Sequence, residues 1–369
     1  MQRSGWHLPF MLAVLVTSHN VVGNIVSSDA FEMGRYQGHP SPMLFVASQS
    51  VSKERAEFMA QLRSFPKNQR PLYERYIDVI GANGILDGLE HLWPKCHSQA
   101  HDLGKVAFAR VRDIGTSLRI CAGRCHSGCM HGILMEAFAD TLTSEAHADL
   151  ASLKPVMNAL CQNHPEMISS YSPGDCAHGV GHALMFLADY HISDALETCR
   201  EFTDQAMAYY CVTGAYMEYV TERDRADMAT QSLFYPCDTF AYPAACFRYK
   251  MAQVARRHYW TAQQLTVLIH ACAQLHGKFR RGCFHGLGNA YMHPIAQGHI
   301  SIKTICLHGT DEDQFMCIEG TMERMAKYYE ARAVQVCADL HEKNQDICLR
   351  AVQHKMYNLN KDLSLYLAE

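Results

Sequence analysis

Apolar residues follow a helical rather than a strand period along most of this chain. From Pro71 onward they recur every three or four positions, and the alternation of apolar and polar residues that marks a half-buried strand is almost absent. In residues 72–93 the apolar positions have the spacing of an amphipathic helix, with an interruption near Gly81 and Gly84. The pattern predicts an all-α fold.

The N-terminal residues 1–23 have a different pattern. They contain Arg3, an apolar run from Leu8 to Val16, and then small residues, which is typical of a secretory signal peptide. An uncleaved anchor is the alternative, but the run is shorter than the ~20 apolar residues that a membrane span needs. We therefore expect the segment to be removed, and we expect no integral membrane segment after its removal.

Residues 24–70 are polar and predict an N-terminal extension rather than part of the helical domain. Their pattern indicates one helix, from Lys53 to Arg63. The main domain then covers residues 71–369, and histidines are concentrated in its N-terminal half, residues 95–185.

Cysteines recur in pairs along the main domain. The second members of the pairs are separated by 35, 35, 37, 34 and 31 residues, which is the length of one helix-turn-helix unit in a solenoid. In each unit the first cysteine lies near the end of one helix and the second opens the next, so a disulfide would join the two helices at their turn. The six predicted disulfides are Cys161 with Cys176, Cys199 with Cys211, Cys237 with Cys246, Cys272 with Cys283, Cys306 with Cys317, and Cys337 with Cys348.

These pairs predict a solenoid of about eight helix-turn-helix repeats, each ~35 residues long and each with one disulfide. In repeat length and in its one disulfide per repeat, the pattern resembles the disulfide-linked class of tetratricopeptide-type solenoids. The residue consensus of that class is not found here, so the resemblance implies a fold and no function.

A glycine lies three residues after the helix-opening cysteine in five units. Because a glycine inside a helix costs ~1 kcal/mol relative to alanine, its recurrence indicates close approach of neighbouring helices. The five positions are Gly132, Gly179, Gly214, Gly286 and Gly320.

Charge and cysteine content narrow the class of protein. The net charge is −4 and no lysine-arginine run is present, so we expect no nucleic-acid partner. Sixteen cysteines in a chain with a signal peptide indicate disulfides formed in an oxidising compartment, and hence a secreted or periplasmic protein.

Four cysteines fall outside the regular pairs, namely Cys96, Cys121, Cys125 and Cys129. They allow two further disulfides in three connectivities, and a cysteine-histidine zinc site is the alternative. The segment CAGRCH also approaches a haem-attachment motif, but it has three residues between its cysteines where that motif has two.

Histidine occupies the second position after the helix-opening cysteine in three units, as His131, His178 and His285. Equivalent positions of stacked repeats line one face, so we expect these side chains to form a column. His178 is followed four residues later by His182, which places both imidazoles on one helical face, whereas the third unit has Asn289 at that position.

A second pair with the same spacing, His97 and His101, follows another cysteine. Two such pairs and a column predict a metal site, and imidazole ligands in an oxidising compartment suit zinc, copper or iron. The predicted ligands are His97, His101, His131, His178 and His182, with His126 and His285 as outer candidates.

Two acidic residues near these histidines are candidates for proton transfer or for orienting a ligand histidine, Glu136 and Asp102. Glu218 and Glu323 occur at about the same depth of their helices as Glu136. For these two an interhelical hydrogen bond is the favoured interpretation.

The sequence therefore predicts a secreted metal-binding helical-repeat protein. A metal ion with an open coordination position would make it an enzyme, either an oxidoreductase or a hydrolase. The alternative is a non-catalytic scaffold that binds a peptide or protein on its concave face. The sequence does not distinguish a small-molecule ligand from a peptide or protein. For the scaffold, the expected exposed contact residues are Tyr209, Tyr210, Tyr216 and Tyr219.

Overall fold

The computed structural model describes residues 42–64, 69–93, 96–121, 124–144, 158, 161, 173–222, 232–257, 262–354, 356–360 and 363–367. All regular secondary structure in these ranges is helical, so the predicted all-α class is confirmed. The predicted signal peptide lies outside the described residues. None of the described helices combines the length and the apolar character that crossing a bilayer requires.

The helices are numbered here in chain order. They are α1 (Pro42–Ser64), α2 (Arg70–Leu92), α3 (His97–Val111), α4 (Ile114–Ile120), α5 (Gly128–Ser144), α6 (Pro173–Leu187), α7 (Ile192–Cys199), α8 (Gln205–Glu222), α9 (Pro243–Arg257), α10 (Ala262–Ala273), α11 (Gly277–Ala296), α12 (Ile302–Cys306), α13 (Asp311–Tyr328), α14 (Ala331–Cys337), α15 (Glu342–Gln353) and α16 (Ser364–Leu367).

Local sequence explains several helix boundaries. Pro71 lies in the first turn of α2, where its missing N–H removes no hydrogen bond. Thr310 and Asp313 form a reciprocal capping box at the start of α13. Gly81 interrupts α2 with φ 70°, as the sequence predicted, because only glycine adopts this left-handed backbone without strain.

Helix α1 begins earlier than the predicted helix. Residues from Ala47 onward belong to one compact unit with the rest of the chain. Phe58 is buried, and its ring centroid lies 5.4 Å from that of Tyr76 on α2. The C-terminal part of the predicted extension therefore contributes to the core.

All 16 cysteines form eight disulfides. The six pairs predicted from spacing are bonded as expected. They are Cys161 with Cys176, Cys199 with Cys211, Cys237 with Cys246, Cys272 with Cys283, Cys306 with Cys317, and Cys337 with Cys348.

The four cysteines outside the regular pairs are bonded to one another. Cys96 pairs with Cys125, and Cys121 pairs with Cys129, which is one of the three possible connectivities. Because all four sulfurs are in disulfides, the alternative of a cysteine-histidine zinc site is wrong, and no thiol is left for haem attachment.

The long helices pack in chain order. Helix α3 packs on α5, α5 on α6, α6 on α8, α8 on α9, α9 on α11, α11 on α13, and α13 on α15. Shorter helices lie beside the turns between them. Four of the predicted disulfides join the end of a shorter helix to the following long helix, as Cys199 at the end of α7 does with Cys211 in α8.

Glycines bring three pairs of long helices into backbone contact. In the α3–α5 pair, a Cβ on Gly104 would lie 1.9 Å from the Cys129 carbonyl oxygen, and one on Gly132 would lie 2.0 Å from the His101 carbonyl oxygen. Such distances leave no room for any side chain. The same reciprocal arrangement occurs in α6–α8 at Gly181 and Gly214, and in α11–α13 at Gly288 and Gly320.

Contacts also join helices that are far apart in the sequence. Lys327 of α13 forms an ion pair with Asp175 of α6, and the Tyr210 hydroxyl donates to the Asn358 carbonyl oxygen at 2.9 Å. In an open solenoid each repeat contacts only its neighbours. Here early and late helices face each other, which encloses an interior between them.

The tyrosines predicted as an exposed contact surface are buried, so that prediction is wrong. Tyr209, Tyr210 and Tyr216 are fully covered, and Tyr219 is 5% exposed. The Tyr216 hydroxyl donates to the Ala241 carbonyl oxygen at 2.6 Å. For Tyr210 and Tyr216 burial is explained by the hydrogen bond that each hydroxyl donates, since an aromatic body with a polar tip can be buried once that tip is paired.

Candidate metal site

Five buried imidazoles meet where α3, α5 and α6 pack together. Four of them, His97, His101, His131 and His182, place one ring nitrogen each within 4.8 Å of all the others. The fifth is His178, whose Nε2 lies 3.2 Å from Nε2 of His182. This group could hold a metal ion, and we call these five residues the histidine cluster.

Helix geometry explains the convergence. The spacing of four residues places His97 above His101 on α3 and His178 above His182 on α6. The close α3–α5 contact at Gly104 and Gly132 then brings the α3 pair to His131 on α5, with ring centroids 5.0 Å apart for His97 and His131.

A strained turn orients His97. Cys125, His126 and Ser127 all have positive φ, between 49° and 63°, which is costly for residues with a side chain. The disulfide from Cys96 to Cys125 joins this turn to the start of α3. The turn presents the His126 carbonyl oxygen to Nδ1 of His97 at 3.0 Å, so Nδ1 carries the proton and Nε2 offers a lone pair to the cluster.

Hydrogen bonds on α8 fix the α6 pair in the same way. The Thr213 hydroxyl donates to the Tyr210 carbonyl oxygen, so the Thr213 oxygen, 2.7 Å from Nδ1 of His178, accepts from it. Nδ1 of His182 donates to a Glu218 carboxylate oxygen at 2.8 Å. Both Nε2 atoms then present lone pairs to each other at 3.2 Å. Two facing lone pairs repel unless a cation, either a proton or a metal ion, lies between them.

Electrostatics favour neutral imidazoles. Burial, and then repulsion from neighbouring imidazoles, lowers the pKa of His97 to about 3. The same causes place the pKa values of His101, His131 and His178 well below the ordinary value. Neutral histidine is the form that binds metals, so these nitrogens need no deprotonation near neutral pH.

Glu218 carries the negative charge next to the cluster. Burial raises its pKa, but hydrogen bonds from His182 and from the Tyr190 hydroxyl outweigh burial, and the pKa lies below its ordinary value. A carboxylate that accepts from the outer nitrogen of a ligand histidine is a recurrent feature of metal sites, because it orients the ring and increases its basicity.

The separations between the candidate donor atoms can be compared with those around a metal ion. Four nitrogens about 2.0–2.1 Å from a tetrahedral zinc ion are about 3.3–3.4 Å from one another. Two separations are close to this range, 3.0 Å between His97 Nε2 and His101 Nε2, and 3.4 Å between His97 Nε2 and His131 Nδ1. All four donor atoms lie within 4.8 Å of one another.

A small cavity of ≈ 270 Å³ reaches the cluster from one side. His101, His182 and Glu218 lie in its wall, and so does Asp102, one of the two predicted acid-base residues. Burial raises the pKa of Asp102, so its carboxyl group takes up a proton more readily than an exposed one. The cavity gives a small molecule a route to the cluster.

The other predicted site residues lie elsewhere. The Glu136 carboxylate accepts from Arg70 at 3.2 Å, and Glu136 does not line the small cavity. The His126 ring stacks on Tyr328, and the His126 carbonyl oxygen accepts from Nδ1 of His97. His285 lies 3.3 Å from a Glu323 oxygen.

Sequence reasoning missed the roles of Glu218 and Thr213. For Glu218 it predicted an interhelical hydrogen bond, and the partners include a cluster histidine as well as a tyrosine. Thr213 occupies the second position after Cys211, the same position in its unit as His131 and His178. This equivalence could have indicated the role of Thr213 from the sequence, because equivalent positions of stacked units line the same face whatever residue they hold.

We compared the chain with known proteins at the levels of sequence and fold. The chain matches no protein-family model, no curated protein and no solved structure.

Proposed function

We propose that this chain is an exported metal-binding protein, and that the histidine cluster holds a transition-metal ion. The observation that carries the proposal is the convergence of His97, His101, His131 and His182 within 4.8 Å, with outer hydrogen bonds on His97 and His182 that leave the Nε2 lone pairs of these two directed inward. Eight disulfides support export to an oxidising compartment, either the periplasm or the cell exterior. We further propose that the disulfide-linked helix pairs are the repeats of a solenoid-like array.

The type of donor atom limits which metal ions can bind. Imidazole nitrogens without thiolate suit zinc, copper or iron, whereas magnesium and calcium prefer oxygen ligands. The Glu218 carboxylate offsets part of the charge that such an ion would bring into a buried site. We therefore expect one of these three elements.

The small cavity supports an enzymatic role. A catalytic metal site differs from a structural one by an open coordination position, and the cavity beside His101 and His182 offers space for it. A bound metal ion would there activate water or dioxygen, as in hydrolases and oxidoreductases. Asp102 in the same wall would exchange protons with a molecule in the cavity.

The direct test is elemental analysis of the mature protein, produced through an oxidising secretory route without a histidine tag. We expect about one equivalent of zinc, copper or iron per chain, measured by inductively coupled plasma mass spectrometry. A chain that stays metal-free after incubation with each ion in turn, while keeping its helical circular-dichroism spectrum, would contradict the proposal.

Replacing Glu218 by glutamine tests the arrangement around His182. We expect Glu218→Gln to weaken metal binding about 10- to 100-fold, because the carboxylate no longer orients and polarises the ring. Affinity is measured by competition with a chromophoric chelator.

Glu136→Gln is the matched control for this variant. Glu136 lies seven residues after Cys129, as Glu218 does after Cys211, but it bonds Arg70 instead of a histidine. Equal loss of affinity in both variants would show that the effect is not specific to the His182 hydrogen bond.

The non-catalytic scaffold remains a second candidate. One observation favours a binding role, a larger cavity between the early and late helices. The volume and the lining residues of this cavity favour a small-molecule ligand over a peptide bound on an exposed face.

A further inference from the structure

A second, larger cavity occupies the interior between the early and late helices. Its volume is ≈ 850 Å³, within the range of about 300–1,000 Å³ that is usual for small-molecule sites. Residues of α8, α9, α11 and α13 line it, together with Met356 and Tyr357. His97 and His126 also lie in its wall, so it adjoins the histidine cluster.

The described charged side chains that line the cavity are all positive. Arg248 and Arg324 both line it, and no aspartate or glutamate is among the described lining residues. Arg324 makes no ion pair with any described carboxylate, and its Nε is buried without a hydrogen-bond partner. Arg248 is paired with Glu323, which does not line the cavity, and Arg324 adds an uncompensated positive charge, so the wall favours an anionic occupant.

Arg248 is a buried residue that lines the cavity. It is 1% exposed, and one of its terminal nitrogens pairs with the Glu323 carboxylate. Its Nε and Nη1 have no hydrogen-bond partner among the described residues. Buried guanidinium donors are rarely left unpaired, because the desolvation cost of an unpaired donor is about 1–3 kcal/mol or more. An acceptor group on a bound molecule would satisfy the N–H groups of these two nitrogens.

The wall also contains aromatic rings. The rings of Tyr328 and His126 are stacked with centroids 4.3 Å apart, and Arg324 lies 6.0 Å from the Tyr328 ring centroid. Further tyrosines in the wall are Tyr249, Tyr291, Tyr329 and Tyr357. Such a surface packs well against a planar ring.

We propose that this cavity binds a small aromatic anion, whose carboxylate or phosphate group is held by Arg248 and Arg324 and whose ring lies against the tyrosines. Guanidinium groups match both acids because their parallel N–H donors fit two acceptor oxygens. The proposal does not depend on a bound metal ion, although an occupant of this cavity would lie next to His97.

The test is isothermal titration calorimetry of the full-length mature protein with phenyl phosphate, benzoate and the uncharged benzyl alcohol. We expect at least one of the two anions to bind one per chain, and benzyl alcohol to bind about tenfold or more weakly. Equal binding of benzyl alcohol, or no binding of either anion up to about 10 mM, would overturn the proposal.

Arg324→Gln is the variant of choice, because changing Arg248 would leave Glu323 buried without its partner. We expect Arg324→Gln to weaken binding of the anion about tenfold or more, and Arg324→Lys to weaken it less. Arg350→Gln removes the same charge from the exposed surface of α15 and should leave affinity unchanged. An unaltered affinity in Arg324→Gln would refute the assignment.

Metal content of the same Arg324→Gln sample separates the two proposals. It should equal that of the wild type, since Arg324 is not part of the histidine cluster. A metal-loaded protein that binds no anion would refute only the cavity assignment, and a metal-free protein that binds the anion would refute only the metal site.

Discussion

The double variant with His101→Ala and His182→Ala should lose its metal. It removes one ligand from each helical pair, so His97 and His131 are left of the four converging residues, and His178 loses its partner at 3.2 Å, His182. We expect the remaining imidazoles to compete poorly with solvent and buffer for a transition-metal ion, and metal content to fall from about one equivalent to less than about 0.1 per chain. The measurement is inductively coupled plasma mass spectrometry after gel filtration.

His191→Ala is the control for this loss. His191 is an exposed histidine that precedes α7 and bonds the Ala188 carbonyl oxygen. It should retain full metal content. Circular dichroism of the double variant should show an intact helical fold, since the disulfides and the apolar core are unchanged. Undiminished metal in a folded double variant would place the ion elsewhere in the protein.

Gly132→Ala should lower both the stability of the fold and its affinity for metal. The added methyl group would lie 2.0 Å from the His101 carbonyl oxygen, which forces α3 and α5 apart between two cluster residues, His101 and His131. We expect the free energy of unfolding to fall by about 3 kcal/mol, the upper end for an overpacked core, and metal affinity to fall with it. Urea unfolding with disulfides intact and chelator competition measure the two quantities.

The chain contains a matched control for this substitution. Gly320 occupies the equivalent position in the α11–α13 pair, where a Cβ would lie 2.1 Å from the His285 carbonyl oxygen. Gly320→Ala should destabilise the protein by a similar amount and leave metal affinity unchanged. If both variants lost metal affinity equally, the effect would be a general consequence of lower stability.

Much of the fold follows from local sequence pattern. Helix period and cysteine spacing are properties of neighbouring residues, and they predicted the all-α class and six disulfides. The spacing of four residues likewise predicted that His97 would share a face with His101, and His178 with His182. The position of His131, two residues after Cys129, indicated a column, and the structure places its ring centroid 4.9 Å from that of His178.

The remaining features depend on contacts between distant parts of the chain. The ion pair of Asp175 and Lys327 joins residues 152 positions apart, and no local pattern encodes it. The same closure buries Tyr210 and creates the large cavity, so neither could be predicted from repeat length. The hydrogen bond from His182 to Glu218 depends on the packing of α6 against α8, which sequence spacing alone does not define.

Disulfide connectivity has a consequence for biogenesis. From Cys161 onward every cysteine is bonded to its immediate neighbour in the sequence, so oxidation of successive cysteines in chain order would produce the native pairs. The first two disulfides, in contrast, are interleaved, and successive oxidation there would join Cys96 to Cys121. Reaching the native pairs then requires thiol–disulfide exchange. If cysteines are oxidised in chain order, assembly of the turn that orients His97 would depend on disulfide isomerisation that the rest of the chain does not need.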